Sequence, residues 1–134
     1  MTVWNTRKKS GMNGIKYLAD TNCFIYLLDE NPLILPFADD IWAFSYITEI
    51  ELLSKKGMTK IEDALVKEML NNCFKINHSQ TITDIVIDIR RKNHIKLPDA
   101  IIAASAKLLQ LPLITADKGF ASVPDIDCII LDFK

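Results

Sequence analysis

Glycine and histidine are scarce in this sequence, and their scarcity argues against several kinds of site. The 134 residues include 4 glycines, and none of these belongs to a glycine-rich phosphate loop. A P-loop NTPase or a dinucleotide-dependent enzyme is therefore not expected. The 2 histidines, His78 and His94, stand alone in predicted connections with no metal-ligand spacing around them, so neither is expected to act in catalysis.

Cysteine is equally sparse. Cys23, Cys73 and Cys128 form no CxxC pair, and they lie in apolar stretches such as CFIYLL and CIILDF. The pattern is typical of buried, reduced thiols rather than of a zinc site or a thiol nucleophile.

The sequence also lacks a long hydrophobic run and an excess of basic charge. No apolar segment reaches the roughly 18 residues that span a bilayer, so no membrane partner is expected. The basic residues near the start are not followed by an apolar segment, so we expect no secretory signal and a cytoplasmic location. With 16 Lys and Arg against 17 Asp and Glu, the charge balance neither supports nor excludes a nucleic-acid partner.

What the sequence does contain is a regular alternation of strand and helix patterns. Residues 1–14 are polar and without periodicity, so they are predicted to form a disordered tail, and residues 15–134 are predicted to form one domain. Strands are predicted at 15–20, 41–47, 74–77, 111–115 and 128–133. Helices are predicted from 21 to the Asn31-Pro32 pair, at 48–56, from Thr59, at 81–93 and from Pro98. The alternation predicts an α/β fold, a three-layer α/β/α sandwich with a mostly parallel central sheet.

The helix from Thr59 has a clear start signal. Glu62 follows Thr59 by three residues, which is the spacing of a capping box. Within this helix, Ile61, Leu65 and Met69 recur along one face.

Apolar side chains elsewhere are placed for core packing. The helix from Pro98 is apolar almost all round, which predicts burial on several faces. The aromatic residues Phe24, Trp42 and Phe44 alternate with other apolar residues or lie on a helix, which suits core packing better than the stacking of nucleic-acid bases.

Four carboxylates occupy positions that the predicted fold would bring together. Asp20 ends the first strand, and Glu51 lies in the predicted first turn of the helix after the second strand. Asp117 lies two residues past the strand at 111–115, and Asp99 opens the helix that leads into that strand. Because ligands of parallel α/β sheets bind beyond the C-terminal ends of the strands, we expect these acids to converge there.

Each acid also has a local explanation. Asp20 would cap the following helix, and Asp99 would interact with the dipole of its own helix. Glu51 would complete a capping box with Thr48, and Asp117 would be a turn residue. Both interpretations remain open for each acid taken singly.

The set of acids indicates a metal site. Two carboxylates about 5 Å apart repel by roughly 3 kcal/mol at an effective dielectric of about 20. A fold that gathers several of them must protonate some or bind a cation. Oxygen ligands without nearby His or Cys favour Mg²⁺ or Mn²⁺, ions that promote phosphodiester hydrolysis without a nucleophilic side chain.

Four segments, in order along the chain, resemble the motifs of PIN domains, and in particular those of VapC-type toxins of bacterial and archaeal toxin–antitoxin pairs. They are Asp20-Thr21-Asn22, Ser45-Tyr46-Ile47-Thr48 with Glu51-Leu52, Leu97-Pro98-Asp99-Ala100 with 102–104, and Leu113-Ile114-Thr115-Ala116-Asp117. The resemblance extends from Lys16 to Lys134.

The resemblance implies a Mg²⁺-dependent endoribonuclease that cuts RNA. Its acidic cluster would consist of Asp20, Glu51, Asp99 and Asp117, with Asp20, Asp99 and Asp117 as metal ligands. Asn22 and Thr115 would be supporting polar residues. Family members commonly dimerise and are neutralised by a small antitoxin, so a homodimer and a cognate antitoxin are expected.

Several assignments remain open at the level of sequence. Glu49 competes with Glu51 for the second carboxylate, although the Thr-x-x-Glu-Leu spacing favours Glu51. Lys118, beside Asp117, is a candidate for contact with RNA at the mouth of the site. The basic run at 90–92 is more typical of a solvated helix end.

Two other functions are compatible with an acidic α/β domain. The first is a non-catalytic PIN-like module that binds RNA or serves as a scaffold. The second is a phosphoacceptor signalling domain, which typically has adjacent acids after its first strand. Here Thr21 and Asn22 follow Asp20 instead, which disfavours the phosphoacceptor.

Overall fold

The computed structural model of the protein describes residues 14–132. The predicted disordered tail lies outside the described residues except for Gly14, which belongs to a turn. Within the described range, no helix is long and apolar enough to cross a membrane.

Five strands form one sheet in which every neighbouring pair is parallel. The described strands are β1 (Ile15–Ala19), β2 (Ile41–Ser45), β3 (Phe74–Ile76), β4 (Leu113–Thr115) and β5 (Cys128–Ile130). Their spatial order is β3-β2-β1-β4-β5. The prediction of a mostly parallel sheet is confirmed, although β4 and β5 are shorter than predicted.

Helices cover both faces of the sheet. The described helices are α1 (Thr21–Leu28), α2 (Tyr46–Leu53), α3 (Lys60–Asn71), α4 (Gln80–Lys92) and α5 (Leu97–Leu109), with 3₁₀ turns at Leu35–Phe37 and Lys118–Ser122. Buried residues of α1 and α3 join one core, and those of α4 and α5 join another on the opposite face. The predicted three-layer α/β/α sandwich is therefore confirmed.

The two cores follow the alternation of side chains along the strands. Trp42 and Phe44 of β2 enter the core beside α1, whereas Ala43 between them enters the core beside α4 and α5. Phe24 packs edge-to-face on Trp42 with ring centroids 5.4 Å apart. The predicted core role of these aromatic residues is confirmed.

Helix α5 is the central buried helix, as its apolar sequence predicts. All residues at 100–106 are buried. The three cysteines are free thiols, as predicted. Cys23 and Cys73 are buried, and Cys128 is half-buried.

The start of α2 was predicted wrongly. Tyr46 and Ile47 continue the aromatic and β-branched pattern of β2, but they belong to the helix. Ser45 is the N-cap, and its hydroxyl accepts a hydrogen bond from the Ile47 amide at 3.2 Å. Thr48 therefore forms no capping box with Glu51, which lies in the second turn of α2 rather than the first.

Helix α3 begins as predicted but buries a different face. Thr59 and Glu62 form the predicted capping box. Ile61, however, is 74% exposed. The buried residues are Val66, Met69 and Leu70, which pack on the core beside α1. The stripe through Ile61 and Leu65 thus reaches the core only at Met69.

The strand order places a crevice at the C-terminal ends of β1 and β4. The chain leaves β1 toward β2 on one side, and β4 later adds on the other side. Such a reversal in strand order is the usual place for a ligand in open α/β sheets. The backbone amide of Asp20 donates to the Ile114 carbonyl at 3.0 Å, which aligns the ends of the two strands.

Candidate active site

Asp20 lies at the inner end of the crevice. It is the N-cap of α1 and is only 6% exposed. One carboxylate oxygen, Oδ1, accepts from the Thr21 amide at 2.7 Å, so the predicted capping role is confirmed. The other oxygen, Oδ2, accepts from the Thr115 hydroxyl at 2.7 Å. The parallel pairing of β1 with β4 makes this contact possible, because it sets Asp20 beside Thr115.

Thr115 links two of the predicted acids. Its buried hydroxyl donates to Asp20 and accepts from the Asp117 amide at 3.0 Å. Its proton and a lone pair are therefore both used, which fixes the side-chain rotamer. Thr115 thus orients the Asp20 carboxylate and holds the backbone of Asp117 at the same strand end.

Glu51 reaches the site from α2 through two threonines. The Thr21 hydroxyl donates to Glu51 Oε1 at 2.6 Å. The Thr21 and Thr48 hydroxyl oxygens are 3.0 Å apart. Because the single Thr21 proton is directed at Glu51, the fully buried Thr48 hydroxyl must be the donor to Thr21.

Asp99 and Asp117 form the outer rim of the site. Asp117 caps the 3₁₀ turn, with Oδ1 accepting from the Gly119 amide at 2.8 Å. Asp99 lies in the first turn of α5, as predicted, and no described residue donates a hydrogen bond to its carboxylate. The two acids share a pocket of about 210 Å³ with His94 and Lys96.

The inner acid has a strongly shifted pKa. Burial raises the pKa of Asp20 from its ordinary 3.8 to about 6. The negative charges of Asp99 and Glu51 add to the rise, and the hydrogen bonds from Thr115 and Thr21 oppose it.

The rim acid Asp99 responds to the same cluster. Burial raises its pKa, and the charges of Asp117 and Glu51 raise it further, while Lys96 opposes them. All four predicted acids therefore interact electrostatically. Among the ion pairs of residues 14–132, none involves any of the four.

The structure separates Glu49 from Glu51. Glu49 forms an ion pair with Lys75 at 3.3 Å, on the side of α2 that faces β3. Glu51, two residues later, points toward Thr21 and influences the pKa of Asp20. The geometry therefore favours Glu51 as the second carboxylate.

The other predicted site residues do not line the pocket of Asp99 and Asp117. Asn22 is exposed and lines, together with Thr21 and Glu51, a groove between α1, α2 and α3. Lys118 is exposed beside Asp117 but does not line that pocket either. The lysine that lines the pocket of Asp99 and Asp117 is Lys96.

The oxygen donors fit a divalent cation, although they are not gathered around one point. Within residues 14–132, no group of three or more His, Cys, Asp or Glu side chains is arranged to hold a metal ion. The donor set nevertheless consists of mutually repelling carboxylates, none of which forms an ion pair within residues 14–132, and hard divalent ions prefer such oxygen ligands. Asp99 and the second oxygens of Glu51 and Asp117 accept no hydrogen bond from the described chain, so they are available as ligands. Binding would require the side chains at the rim to rotate toward Asp20.

Sequence reasoning did not identify Thr21, Thr48 and Lys96 as parts of the site. Thr21 and Thr48 are 27 residues apart, and only the packing of α1 on α2 brings their hydroxyls together. The Lys96-Leu97-Pro98-Asp99 sequence carried a usable signal for the third, because a residue three positions before a first-turn acid lies at the same helix end.

Comparison with known proteins identifies the family of this fold. The family model that describes the PIN domain matches residues 17–126. The chain is similar to a structure described as a toxin–antitoxin complex from Klebsiella pneumoniae, with 33% identity, a TM-score of 0.72, and coverage of 83% of this chain and 95% of that one.

Two further structures share the fold at lower identity. VapBC2 from Rickettsia felis, bound to a DNA fragment from its promoter, matches with 22% identity and a TM-score of 0.73, covering 88% of this chain and 100% of that one. VapBC-1 from nontypeable Haemophilus influenzae matches with 21% identity and a TM-score of 0.73, covering 87% and 98%. No curated protein sequence matches the chain. The match over 17–126 includes all four acids, and the chain belongs to the PIN-domain family, as its resemblance to VapC-type toxins predicts.

Proposed function

We propose that this protein is a metal-dependent endoribonuclease and the toxin of a type II toxin–antitoxin system. One observation carries the proposal: four carboxylates from separate segments interact electrostatically at the β1–β4 crevice, and none has a cationic partner within ion-pair distance among the described residues. A soluble fold tolerates such a cluster when a cation neutralises it. Mg²⁺ or Mn²⁺ is the proposed cation.

The proposed roles follow from the position of each acid. Asp20, Asp99 and Asp117 would hold the cation, and Glu51 would orient a water molecule on the α2 side of the site. When bound, the cation supplies positive charge to the reacting phosphate and activates water as the nucleophile. Thr115 would keep Asp20 in its binding rotamer, so that this ligand need not be ordered on binding.

A second candidate is a PIN-like module that binds RNA or serves as a scaffold without turnover. Asp20 and Asp117 each accept a local hydrogen bond from a backbone amide, and Glu51 accepts one from the Thr21 hydroxyl of another helix. The absence of an assembled metal-ligand group in the described chain favours this candidate as well. A catalytic site would have to assemble on binding metal, whereas a binding module would never do so.

An RNA cleavage assay separates the two candidates. We expect the full-length protein to cleave a pool of unstructured and hairpin RNAs in Mn²⁺, and EDTA to abolish cleavage. Asp99→Asn, purified in the same way, should lose the activity, whereas the matched control Asp88→Asn on α4 should keep it. Asp88 is paired with Lys92 at 3.0 Å and does not belong to the acidic cluster. Binding of RNA without cleavage by the wild type would support the second candidate.

We further propose that an antitoxin covers the groove beside Glu51. The groove of about 670 Å³ lies between α1, α2 and α3, and its apolar walls include Ile25 and Leu65, which are 42% and 41% exposed. A partner seated there would also block access to Glu51. Ile25→Asp should weaken co-purification with the product of a small adjacent reading frame while the free protein keeps its cleavage activity.

The remaining assignments are proposals of the same kind. Residues 15–134 would act as one nuclease domain, and the active toxin would be a homodimer. Because the proposed substrate is cellular RNA, we propose that it acts in the cytoplasm. Light scattering of the purified protein tests the dimer directly.

A further inference from the structure

A second pocket adjoins the acidic rim on the side of α4 and α5. It has a volume of about 480 Å³, and it shares His94 and Ile95 with the pocket that contains Asp99 and Asp117. Together the two pockets form a continuous surface that leads from the end of α4 into the acidic site. We call this surface the α4–α5 track and define it by Arg90, Arg91, His94, Lys96 and Leu97.

The cations of the α4–α5 track form no ion pairs with the described chain, although the charge of Lys96 lowers the pKa of Asp99. Among the ion pairs of residues 14–132, none involves Arg90, Arg91 or Lys96. The neighbouring Lys92, in contrast, is paired with Asp88 at 3.0 Å. The charge on this surface is therefore available to an anionic ligand.

The loop between α4 and α5 is tied to the end of α4. Arg90 Nε donates to the Ile95 carbonyl at 3.4 Å, a long hydrogen bond that leaves the terminal guanidinium nitrogens free. Asn93 Nδ2 donates to the Ile89 carbonyl at 3.0 Å. These contacts hold the loop in place, so its cations have a defined position relative to the acids.

Apolar groups line the same pocket as Arg90 and Arg91. Leu97 is 48% exposed, and Ile87, which lines the same pocket, is 43% exposed. A ligand that matches both kinds of group carries anionic charge at intervals and flat apolar surfaces between them. Single-stranded RNA has this chemistry, since its phosphates pair with Arg and Lys while its bases pack on apolar or aromatic groups.

We propose that the α4–α5 track binds the strand of single-stranded RNA that flanks the scissile phosphate and directs this phosphate to Asp99 and Asp117. The proposal rests on the proposed nuclease function and names the residues that would position its substrate. Continuity with the acidic pocket favours RNA over a second copy of this chain, because only a substrate must reach both places.

Binding of labelled RNA tests the proposal without cleavage. The full-length protein is titrated in EDTA against a fluorescein-labelled, unstructured RNA of mixed sequence, and anisotropy gives the Kd at several salt concentrations. We expect Arg91→Gln and Lys96→Gln each to raise the Kd about 3- to 10-fold and to lower the salt slope by about one. The matched control Lys92→Gln, from the same helix end, should change the Kd less than about 2-fold, since Lys92 lines neither pocket of the track.

A crosslinking experiment locates the RNA. With 4-thiouridine in the RNA, we expect crosslinks within residues 93–107, which include His94 and Leu97. All three variants carry exposed substitutions, so equal melting temperatures would show that the fold is unchanged.

Three outcomes would overturn the proposal. The first is an unchanged Kd in both Arg91→Gln and Lys96→Gln, and the second is crosslinking confined to other parts of the chain. The third is a change in oligomeric state on light scattering with no change in Kd, which would make the track an interface between copies.

A cleavage assay distinguishes failure of the α4–α5 track from failure of the proposed nuclease function. Cleavage by the wild type with an unchanged Kd in the variants refutes only the track, whereas RNA binding that the variants weaken, without cleavage, refutes only the nuclease.

Discussion

The inner and outer parts of the acidic site are held in different ways. At the inner end, Asp20 is buried, and both of its carboxylate oxygens accept hydrogen bonds. At the outer rim, Asp99 is half-buried, and it accepts none from the described chain. The inner acid is positioned by the sheet itself, whereas the outer acid is free to adjust its rotamer.

This difference indicates how the proposed metal site would assemble. A preorganised inner ligand lowers the entropy lost on binding, and a mobile rim lets the carboxylates approach only when a cation offsets their repulsion. Both ends should therefore affect function, and the inner end should affect stability more strongly than the rim. Four predictions test this contrast.

The largest effect on RNA cleavage is expected when either the inner acid Asp20 or the rim acid Asp99 loses its charge. Asp20→Asn and Asp99→Asn should each lower RNA cleavage in Mn²⁺ by about 10³-fold or more, because each removes a proposed metal ligand and several kcal/mol of transition-state stabilisation. Single-turnover cleavage measures the effect. A loss of less than tenfold in either variant would show that this acid is not a metal ligand.

The same substitution at the inner end should stabilise the metal-free fold. The folded pKa of Asp20 is about 6, above the ordinary 3.8, so the unfolded chain loses this proton first as pH rises. Asp20 therefore destabilises the fold progressively between pH 4 and pH 6, by up to about 3 kcal/mol, and constantly above that window. Asp20→Asn removes the ionised group but also one hydrogen-bond acceptor, so we expect a gain of about 1–3 kcal/mol at pH 8.

Urea unfolding in EDTA at pH 4 and pH 8 measures this gain. We expect little difference between Asp20→Asn and the wild type at pH 4 and a clear gain at pH 8. If the difference in free energy of unfolding were independent of pH, or if the variant were less stable at pH 8, ionisation of the buried carboxylate would not destabilise the fold.

Removing the support of the inner acid should cost stability. Thr115→Val leaves the buried Oδ2 of Asp20 without its donor, which should lower the free energy of unfolding by about 1–3 kcal/mol at pH 8. Mn²⁺ affinity, measured by calorimetry, should fall about 10- to 100-fold. Thr115→Ser keeps the hydroxyl and should recover most of the affinity. Equal binding by the Val and Ser variants would contradict a positioning role.

The smallest effect is expected on the α2 side. Thr48→Val removes the donor to Thr21 in the chain of hydroxyls that ends on Glu51. We expect about 1 kcal/mol of lost stability and a smaller loss of Mn²⁺ affinity than in Thr115→Val. An effect on Mn²⁺ binding equal to that of Thr115→Val would remove the contrast between the preorganised inner acid and its neighbours.

Local signals in the sequence were most reliable where the chain interacts with itself over a few residues. The capping box of Thr59 and Glu62 was predicted correctly because both partners lie within one helical turn. The start of α2 was predicted wrongly because Tyr46 and Ile47 suit a strand as well as a helix. There the Ser45 cap, a weak local signal, decided the boundary.

The choice between Glu49 and Glu51 shows the limit of such signals. Residues two apart on a helix point about 200° apart, so one of the two acids must face away from the other. Which one faces the site depends on how α2 is rotated against α1, and the Thr21 contact with Glu51 shows that rotation. Family spacing favoured Glu51, but residue pattern alone did not.

By itself, the sequence determined the alternation of strands and helices and placed acids near three strand ends and one helix start. These follow from periodicity and local capping, which act over a few residues. Only the tertiary structure decided that β1 lies beside β4, that Thr115 therefore meets Asp20 across 95 residues, and that Lys96 enters the pocket of Asp99. Such contacts depend on strand order and helix rotation, which are set by the packing of the whole core and not by any short segment.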